Sequence, residues 1–131
     1  MAHITNAHIV PAAINGQTLD AGNFWTTNDT KYGPTGHLPS RLAAILRARS
    51  AHIAQVIYSY STPIAWLDNG VWIVPNVTYS ATTSSKHQSQ LRWARNLPWD
   101  AGMDEYLQVI AGATKYVPNP RNQSVGTYVA A

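Results

Sequence analysis

The sequence predicts a single α+β domain in which a small, mainly antiparallel sheet is packed by two helices. Three observations predict this fold. Residues 55–79 hold two β-branched and aromatic runs, 55–67 and 71–79, on either side of a tight-turn signal. Apolar residues recur at helical spacing over 39–50, and a helix-start pattern precedes 84–96. A chain of 131 residues suits one domain: 1–37 as hairpin and loop, 38–112 as core, 113–131 as strand and tail.

The N-terminal region is predicted to be a short hairpin followed by a long irregular loop. His8, Ile9 and Val10 favour a strand, and Asn15-Gly16 is a two-residue turn signal. From residue 20 to 37 the chain is rich in Gly, Asn, Thr and Pro, with aromatic residues such as Trp25 among them. Loops of this length often carry function, so Trp25 is a candidate contact residue.

The helix over 39–50 begins at a proline, which suits a first helical turn. Its apolar stripe is Leu38, Leu42, Ile45, Leu46 and Ile53. Arg41, Arg47 and Arg49 fall mostly outside that stripe, so we expect them to form a solvated face rather than a binding site.

The central hairpin is predicted to turn at Asn69-Gly70. A type I′ turn there places Leu67 opposite Trp72, while Trp66 and Ile73 share the other face. Both faces near the tip are therefore apolar. Such a hairpin needs cover on both sides, by helices on one face and by another layer or a partner on the other.

The segment after the hairpin carries an ordered corner and a basic helix. Serines and threonines offer successive helix caps before 84–96. The predicted structural corner is Tyr79, Ser80, Thr82, Thr83 and His87. The candidate binding residues are Lys86, Arg92, Trp93 and Arg95 of the helix, with Trp25 of the loop. Such side chains hold phosphates, stack bases or anchor protein interfaces, although an ordinary exposed helix looks the same.

Towards the C-terminus, residues 103–110 favour a short helix closed by Gly112, and 114–131 favour a strand with loose ends.

His87 is expected to order the corner by bonding one of its hydroxyls. An alternative role is a general base that activates Ser80, Thr82 or Thr83. The chain has only six acidic residues, and none stands at a spacing that would orient His87. Five scattered histidines and no cysteine predict no metal site, and we expect no cofactor and no enzymatic activity.

Composition limits the classes of partner. Charged residues make up 11% of the chain and the net charge is +3, which is too weak to indicate nucleic-acid binding unless the charge clusters. A surface poor in charge favours self-association, so a homo-oligomer is an open alternative. The sequence has no membrane-length apolar run and no secretory signal, and we expect a cytoplasmic protein without a membrane partner.

Two ordered motifs flank the hairpin turn, Ser-Tyr-Ser-Thr-Pro-Ile-Ala-Trp over 59–66 and Tyr-Ser-Ala-Thr-Thr-Ser-Ser-Lys-His over 79–87. Together they resemble a family of small bacteriophage and mobile-element proteins that has no assigned activity. The resemblance covers about residues 56–97. It implies a phage origin, with action inside the host cell, and no catalytic residue.

These observations predict a non-enzymatic phage accessory protein that binds a host protein or nucleic acid through the basic, Trp-bearing helix. A cluster of the cations in one patch would favour nucleic acid, and a flat patch of Trp and Tyr would favour a protein. The alternatives are a structural virion or assembly component that forms homo-oligomers, and a small hydrolytic enzyme that uses His87.

Overall fold

A computed structural model of the chain describes residues 5–29, 33–77, 79, 86–88, 90–91, 95–121 and 126–131. The α-helices in this part are α1 (Ile9–Ile14), α2 (Ser40–Ala48) and α3 (Met103–Ile110). The strands of the main sheet are β1 (Leu19–Asp20), β2 (Phe24–Thr27), β3 (Ile53–Ser59), β4 (Thr62–Asp68) and β5 (Val71–Ile73). The remaining strands are β6 (Pro75–Asn76), β7 (Leu97–Pro98), β8 (Thr114–Pro118) and β9 (Gly126–Ala130).

The main sheet has the order β1-β2-β3-β4-β5, and every neighbouring pair is antiparallel. Two small sheets accompany it, a parallel pair of β6 and β7 and an antiparallel pair of β8 and β9. Helices pack on the main sheet, so the α+β class is confirmed.

The turn at the tip of the central hairpin has the predicted type and register. Asn69 and Gly70 have φ angles of 50° and 82°, as a type I′ turn requires. Leu67 pairs with Trp72, and Trp66 pairs with Ile73. The predicted run 55–67 is not one strand, however, because a second tight turn at Tyr60 and Ser61 divides it into β3 and β4.

A β-bulge in β4 places two consecutive side chains in the same apolar cluster. Ile57 pairs with Ala65 and Tyr58 pairs with Pro63, so Ile64 is an extra residue in the ladder. At such a bulge, two consecutive residues oppose one residue of the partner strand. Ile64 and Ala65 accordingly join the same apolar cluster and are almost completely buried.

Helices cover both faces of the sheet. One face is covered by α1, whose Ile9 and Val10 pack with Phe24 and Ile57. The opposite face, which bears Trp66, is covered by α2 and α3. The prediction that both faces need cover is therefore confirmed, and the described chain supplies that cover itself.

The N-terminal prediction is wrong in its secondary structure. Residues 8–10, predicted as a strand, belong to a 3-10 turn and to α1, because Ile9, Val10 and Ala13 can then bury a common apolar side against the sheet. The N-terminal hairpin lies further on, between β1 and β2. The predicted loop therefore contains a strand, because β2 pairs along its whole length with the distant β3.

The C-terminal prediction is correct for the helix and incomplete for the tail. α3 spans 103–110, and Gly112 follows it with a φ of 73°. The tail holds two strands, β8 and β9, where the sequence predicted one.

The helix predicted over 84–96 is described only in part, at 86–88, 90–91 and 95–96. Where the chain is described, 86–88 and 90–91 form helical turns, whereas Arg95 and Asn96 are not helical. The following residues pair as β7 with β6.

A buried polar network joins α2, β4 and α3. The Arg49 guanidinium donates two hydrogen bonds to the Asp68 carboxylate, of 2.9 Å and 2.8 Å. Tyr106 Oη donates to Asp68 Oδ2 at 2.6 Å, and Trp66 Nε1 donates to Tyr106 Oη at 2.9 Å. The Asp68 side chain is completely buried, and that of Arg49 is 18% exposed. The prediction that Arg49 belongs to a solvated face is therefore wrong, since a buried carboxylate needs a paired cation.

Candidate functional site

The described cations of the predicted basic helix differ in exposure. Lys86 is exposed, whereas Arg95 is half-buried. Arg95 Nη1 donates to Asn76 Oδ1 at 2.7 Å, and the buried Asn76 donates from Nδ2 to Tyr116 Oη at 3.0 Å. Arg95 is thus part of an internal network. The other two candidates of this helix, Arg92 and Trp93, lie outside the described residues.

The exposed cations Arg41, Arg47 and Lys86 do not form one patch. Arg41 and Arg47 are exposed on α2, which packs on the face of the sheet that bears Trp66. Lys86 adjoins His87, whose ring stacks on Phe24 on the opposite face. Lys86 and the α2 arginines therefore lie on opposite sides of the sheet.

His87 is a buried histidine whose described hydrogen bond reaches β3. Its Nδ1 lies 2.6 Å from Ser59 Oγ, and its ring is 2% exposed. The ring stacks on Phe24 at a centroid distance of 4.6 Å, and Tyr60 tilts against it at 6.0 Å. Burial, together with the charge of Lys86, lowers the pKa of His87. A neutral imidazole of this kind orders the structure around it.

The corner predicted around His87 is described only in part. Ser80, Thr82 and Thr83 lie outside the described residues. Tyr79 is half-buried and packs against both apolar clusters, and burial raises the pKa of its hydroxyl. The partner of His87 that the structure does describe, Ser59, is 28 residues away in sequence.

Two cavities meet at Tyr58 and Gly33, and we call them together the aromatic groove. The smaller, of about 110 Å³, is lined by Gly33, Thr35, Leu46, Arg47, Ser50, Ile53, Val56 and Tyr58. The larger, of about 250 Å³, is lined by Trp25, Thr27, Asp29, Gly33, Pro34 and Tyr58. Ser59 and His87 line neither cavity.

Trp25 is held rigidly at the edge of the groove. Its ring stacks on Tyr58 with a centroid distance of 4.0 Å and an interplanar angle of 8°. Its Nε1 donates to the carbonyl oxygen of Tyr60 at 2.7 Å. Trp25 belongs to β2, is half-buried and lines the larger cavity.

Tyr58 lies at the junction of the two cavities. The residue is 2% exposed, and its Oη lies so close to Gly33 that a Cβ on that glycine would collide with it. Burial, with a smaller effect of the Asp29 charge, raises the pKa of Tyr58 to about 12.

A comparison with known protein families identifies the family of this chain. A family model matches residues 14–96, and its description is "Family of unknown function (DUF8033)". The chain belongs to this family. No curated protein and no solved structure matches the chain.

The DUF8033 match spans all residues that line the groove, and it also contains Ser59 and His87. The helix α3 and the pair of β8 and β9 lie outside it. In this DUF8033 protein, the groove is therefore built by the part of the chain that defines the family.

Sequence reasoning found Trp25 in this DUF8033 site and missed Tyr58, Gly33, Asp29 and Arg47. The two strands that hold Trp25 and Tyr58 are far apart in sequence and adjacent in the sheet. Two local signals bear on the site, an aromatic residue in each strand and a glycine before Pro34.

None of the helices in the described ranges is long and apolar enough to cross a bilayer. In those same ranges, no three His, Asp or Glu side chains come together as a group that could hold a metal ion.

Proposed function

We propose that the protein is a non-enzymatic binding protein that recognises a partner protein through the aromatic groove. The observation that carries the proposal is the stacked pair of Trp25 and Tyr58, which lines a cavity at its surface. Rigid aromatic side chains in a pocket are typical anchors of protein interfaces, because they bury much area at little entropic cost.

The distribution of positive charge supports a protein over a nucleic acid as the partner. Phosphate binding needs several cations on one surface. Arg49 is paired with buried Asp68, and Arg95 is bonded to buried Asn76. The exposed Lys86 and the exposed arginines of α2 lie on opposite sides of the sheet.

The motif resemblance supports a phage or mobile-element origin, and with it a role as an accessory protein inside the host cell. The partner is then a host protein. The basic helix predicted from sequence contributes at most a second contact, through Lys86 and the residues beside it.

The proposal is tested by affinity capture from a bacterial lysate, with and without nuclease treatment. We expect a protein that remains captured after nuclease treatment and that is lost with Arg47→Ala. Arg41→Ala is the matched control, because both arginines are exposed on α2 and only Arg47 lines the groove. In the same way, Trp25→Ala is compared with Trp99→Ala, since Trp99 is 49% exposed and lines neither cavity.

Two outcomes contradict the proposal. Capture that disappears with nuclease indicates a nucleic-acid partner. Capture that is equally strong in the groove variants and in their controls shows that the groove is not the contact surface. The thermal unfolding midpoint of each variant shows whether a loss of capture comes from unfolding.

A second candidate function is a structural component that forms homo-oligomers. It is favoured by the pair of β8 and β9, where Val117 and Val129 lie on the same outer face and are 41% and 42% exposed. Sedimentation at micromolar concentration tests it, with Val129→Glu as the disrupting variant. A clean monomer counts against this role.

A further inference from the structure

The strand β9 has an outer edge that is open among the described residues. In the described ranges, β8 is the one strand that pairs with β9. Most of β9 is exposed, and the exposed residues are Gly126, Thr127, Val129 and Ala130. The exposed surface of Gly126 is backbone, because glycine has no side chain. β9 therefore offers main-chain groups to a further strand.

The ladder between β8 and β9 shows which main-chain groups point outward. The backbone N–H of Ala131 donates to the carbonyl oxygen of Ala113 at 3.5 Å. Hydrogen-bonded pairs alternate with non-hydrogen-bonded pairs along an antiparallel ladder, so the next residues of β9 that bond to β8 are Val129 and Thr127. The remaining residues of β9 point their N–H and C=O groups away from β8, and these are Gly126, Tyr128 and Ala130.

The two strands differ in the residues that discourage pairing with another strand. β8 carries Lys115 and Pro118, and natural edge strands use lysine and proline to prevent such pairing. Pro118 lies opposite Gly126, at a position where the ladder needs no N–H donor. β9 has the sequence Gly-Thr-Tyr-Val-Ala, without charge or proline, and its three central residues favour strands. β9 is therefore the edge that accepts a further strand.

This edge is complementary to a second copy of itself. In an antiparallel pair of two β9 strands centred on Tyr128, the two tyrosines face each other and Gly126 faces Ala130. These are the residues whose N–H and C=O groups point outward, so this register bonds the strand along its whole length. Thr127 then faces Val129, and no like charges meet, because β9 is neutral. Such a contact is two-fold symmetric and closes as a dimer.

The two faces of the strand pair also match across this contact. Tyr128 packs against the core cluster that contains Tyr106 and Val109 of α3. Val117 and Val129 are exposed on the other face. In the register centred on Tyr128, each side chain meets one of the same face, because successive side chains of a strand alternate between faces. The two strand pairs then form one four-stranded sheet whose outer face carries the valines of both copies.

We infer that the chain forms a two-fold symmetric dimer in which the β9 strands of two copies pair antiparallel, centred on Tyr128. The inference rests on the second candidate function, the homo-oligomer, and gives it a defined contact. It does not involve the aromatic groove, so a dimer of this kind leaves the groove available for a partner protein.

The test uses the full chain, which contains no cysteine. Thr127→Cys and Val129→Cys are prepared as separate variants at exposed positions, then mixed and oxidised. Residues directly opposite in a non-hydrogen-bonded pair have Cα atoms about 4.5 Å apart, which suits a disulfide, whereas equal residues stand diagonally at about 7–8 Å. We expect at least about fivefold more crosslinked dimer in the mixture than in either variant alone.

The matched control is a mixture of Val117→Cys with Thr127→Cys. Val117 is exposed on the same outer face as Val129 but belongs to β8, so β9 separates it from the other copy. We expect no excess of crosslinked dimer in this mixture.

The parent chain should sediment as a dimer at micromolar concentration. Ala130→Pro removes an outward N–H from each copy and should raise the dissociation constant of the dimer by about tenfold. Ala130→Ser keeps that N–H and is the control for this substitution.

Three results overturn the inference: a monomer at micromolar concentration, equal crosslinking in the mixture and in the single variants, or an Ala130→Pro dimer as tight as the parent. In the last two cases a persistent dimer leaves the homo-oligomer function standing and refutes only the β9 contact. A monomer refutes both, and capture of a partner protein through the aromatic groove is then judged by its own experiment.

Discussion

Replacing Asp68 by asparagine should lower the free energy of unfolding by about 3 kcal/mol. The buried carboxylate accepts two hydrogen bonds from Arg49 and one from Tyr106. Breaking a buried ion pair costs about 3–5 kcal/mol, and we take the lower end because the Arg49 side chain is 18% exposed. For a chain of this length, that is a fall of roughly 10 °C in Tm.

The loss is measured by urea unfolding at pH 7, with Asp100→Asn as the control for an exposed carboxylate. A double-mutant cycle with Arg49→Met isolates the pair, and we expect a coupling of more than about 1 kcal/mol. An Asp68→Asn variant within about 0.5 kcal/mol of the parent, or a coupling of zero, would refute the reasoning.

The ion pair of Arg49 and Asp68 also makes the free energy of unfolding depend on pH. Burial alone would raise the pKa of the Asp68 carboxyl, but the hydrogen bonds from Arg49 and Tyr106 and the charges of Arg49 and His52 lower it below its ordinary value of 3.8. A lowered carboxyl pKa stabilises the fold above the unfolded-state value, and this contribution is lost as pH falls through the folded-state pKa. Asp68→Asn should therefore flatten the stability profile below about pH 4.

Three further predictions concern single residues. The lowered pKa of His87 means that the unfolded chain binds its proton first, so the free energy of unfolding should fall as pH drops below 6.5, by at most about 1.4 kcal/mol per pH unit. Denaturant unfolding between pH 5 and 7 checks this, and an unchanged slope in His87→Gln would contradict it. Gly33→Ala should cost about 1–3 kcal/mol, because its Cβ meets Tyr58 Oη, and adding Tyr58→Phe should restore part of that loss in thermal unfolding. Gly70→Ala should cost about 1 kcal/mol from backbone strain alone, because its Cβ meets nothing within 4 Å at a φ of 82°, and an unaltered Tm would exclude that strain.

Local signals predicted the parts of the fold that depend on local chemistry. The Asn-Gly turn sets the register of β4 and β5, because few residues adopt positive φ at two consecutive positions. The apolar spacing over 39–50 predicted α2, which spans Ser40–Ala48. The N-terminal prediction failed because residues 8–10 gain more by packing as part of a helix than by pairing as a strand.

Only some residues of the candidate site were predictable from the sequence. Trp25 was identified as a contact residue from its setting in a polar segment. Its stacking on Tyr58 depends on the pairing of β2 with β3, which are joined by a long stretch of chain. Arg47 lies in α2 and Arg49 directly follows that helix, yet one lines the groove and the other neutralises Asp68.

The sequence by itself determined the fold class, the central turn and the scarcity of charge, because each of these depends on residue type and short-range spacing. Only the tertiary structure decided which aromatic residues meet and which arginines are engaged internally. It also decided that His87 bonds Ser59, and that Tyr58 borders two cavities. These features depend on contacts between strands and helices that are distant in sequence, and local sequence patterns do not specify such contacts.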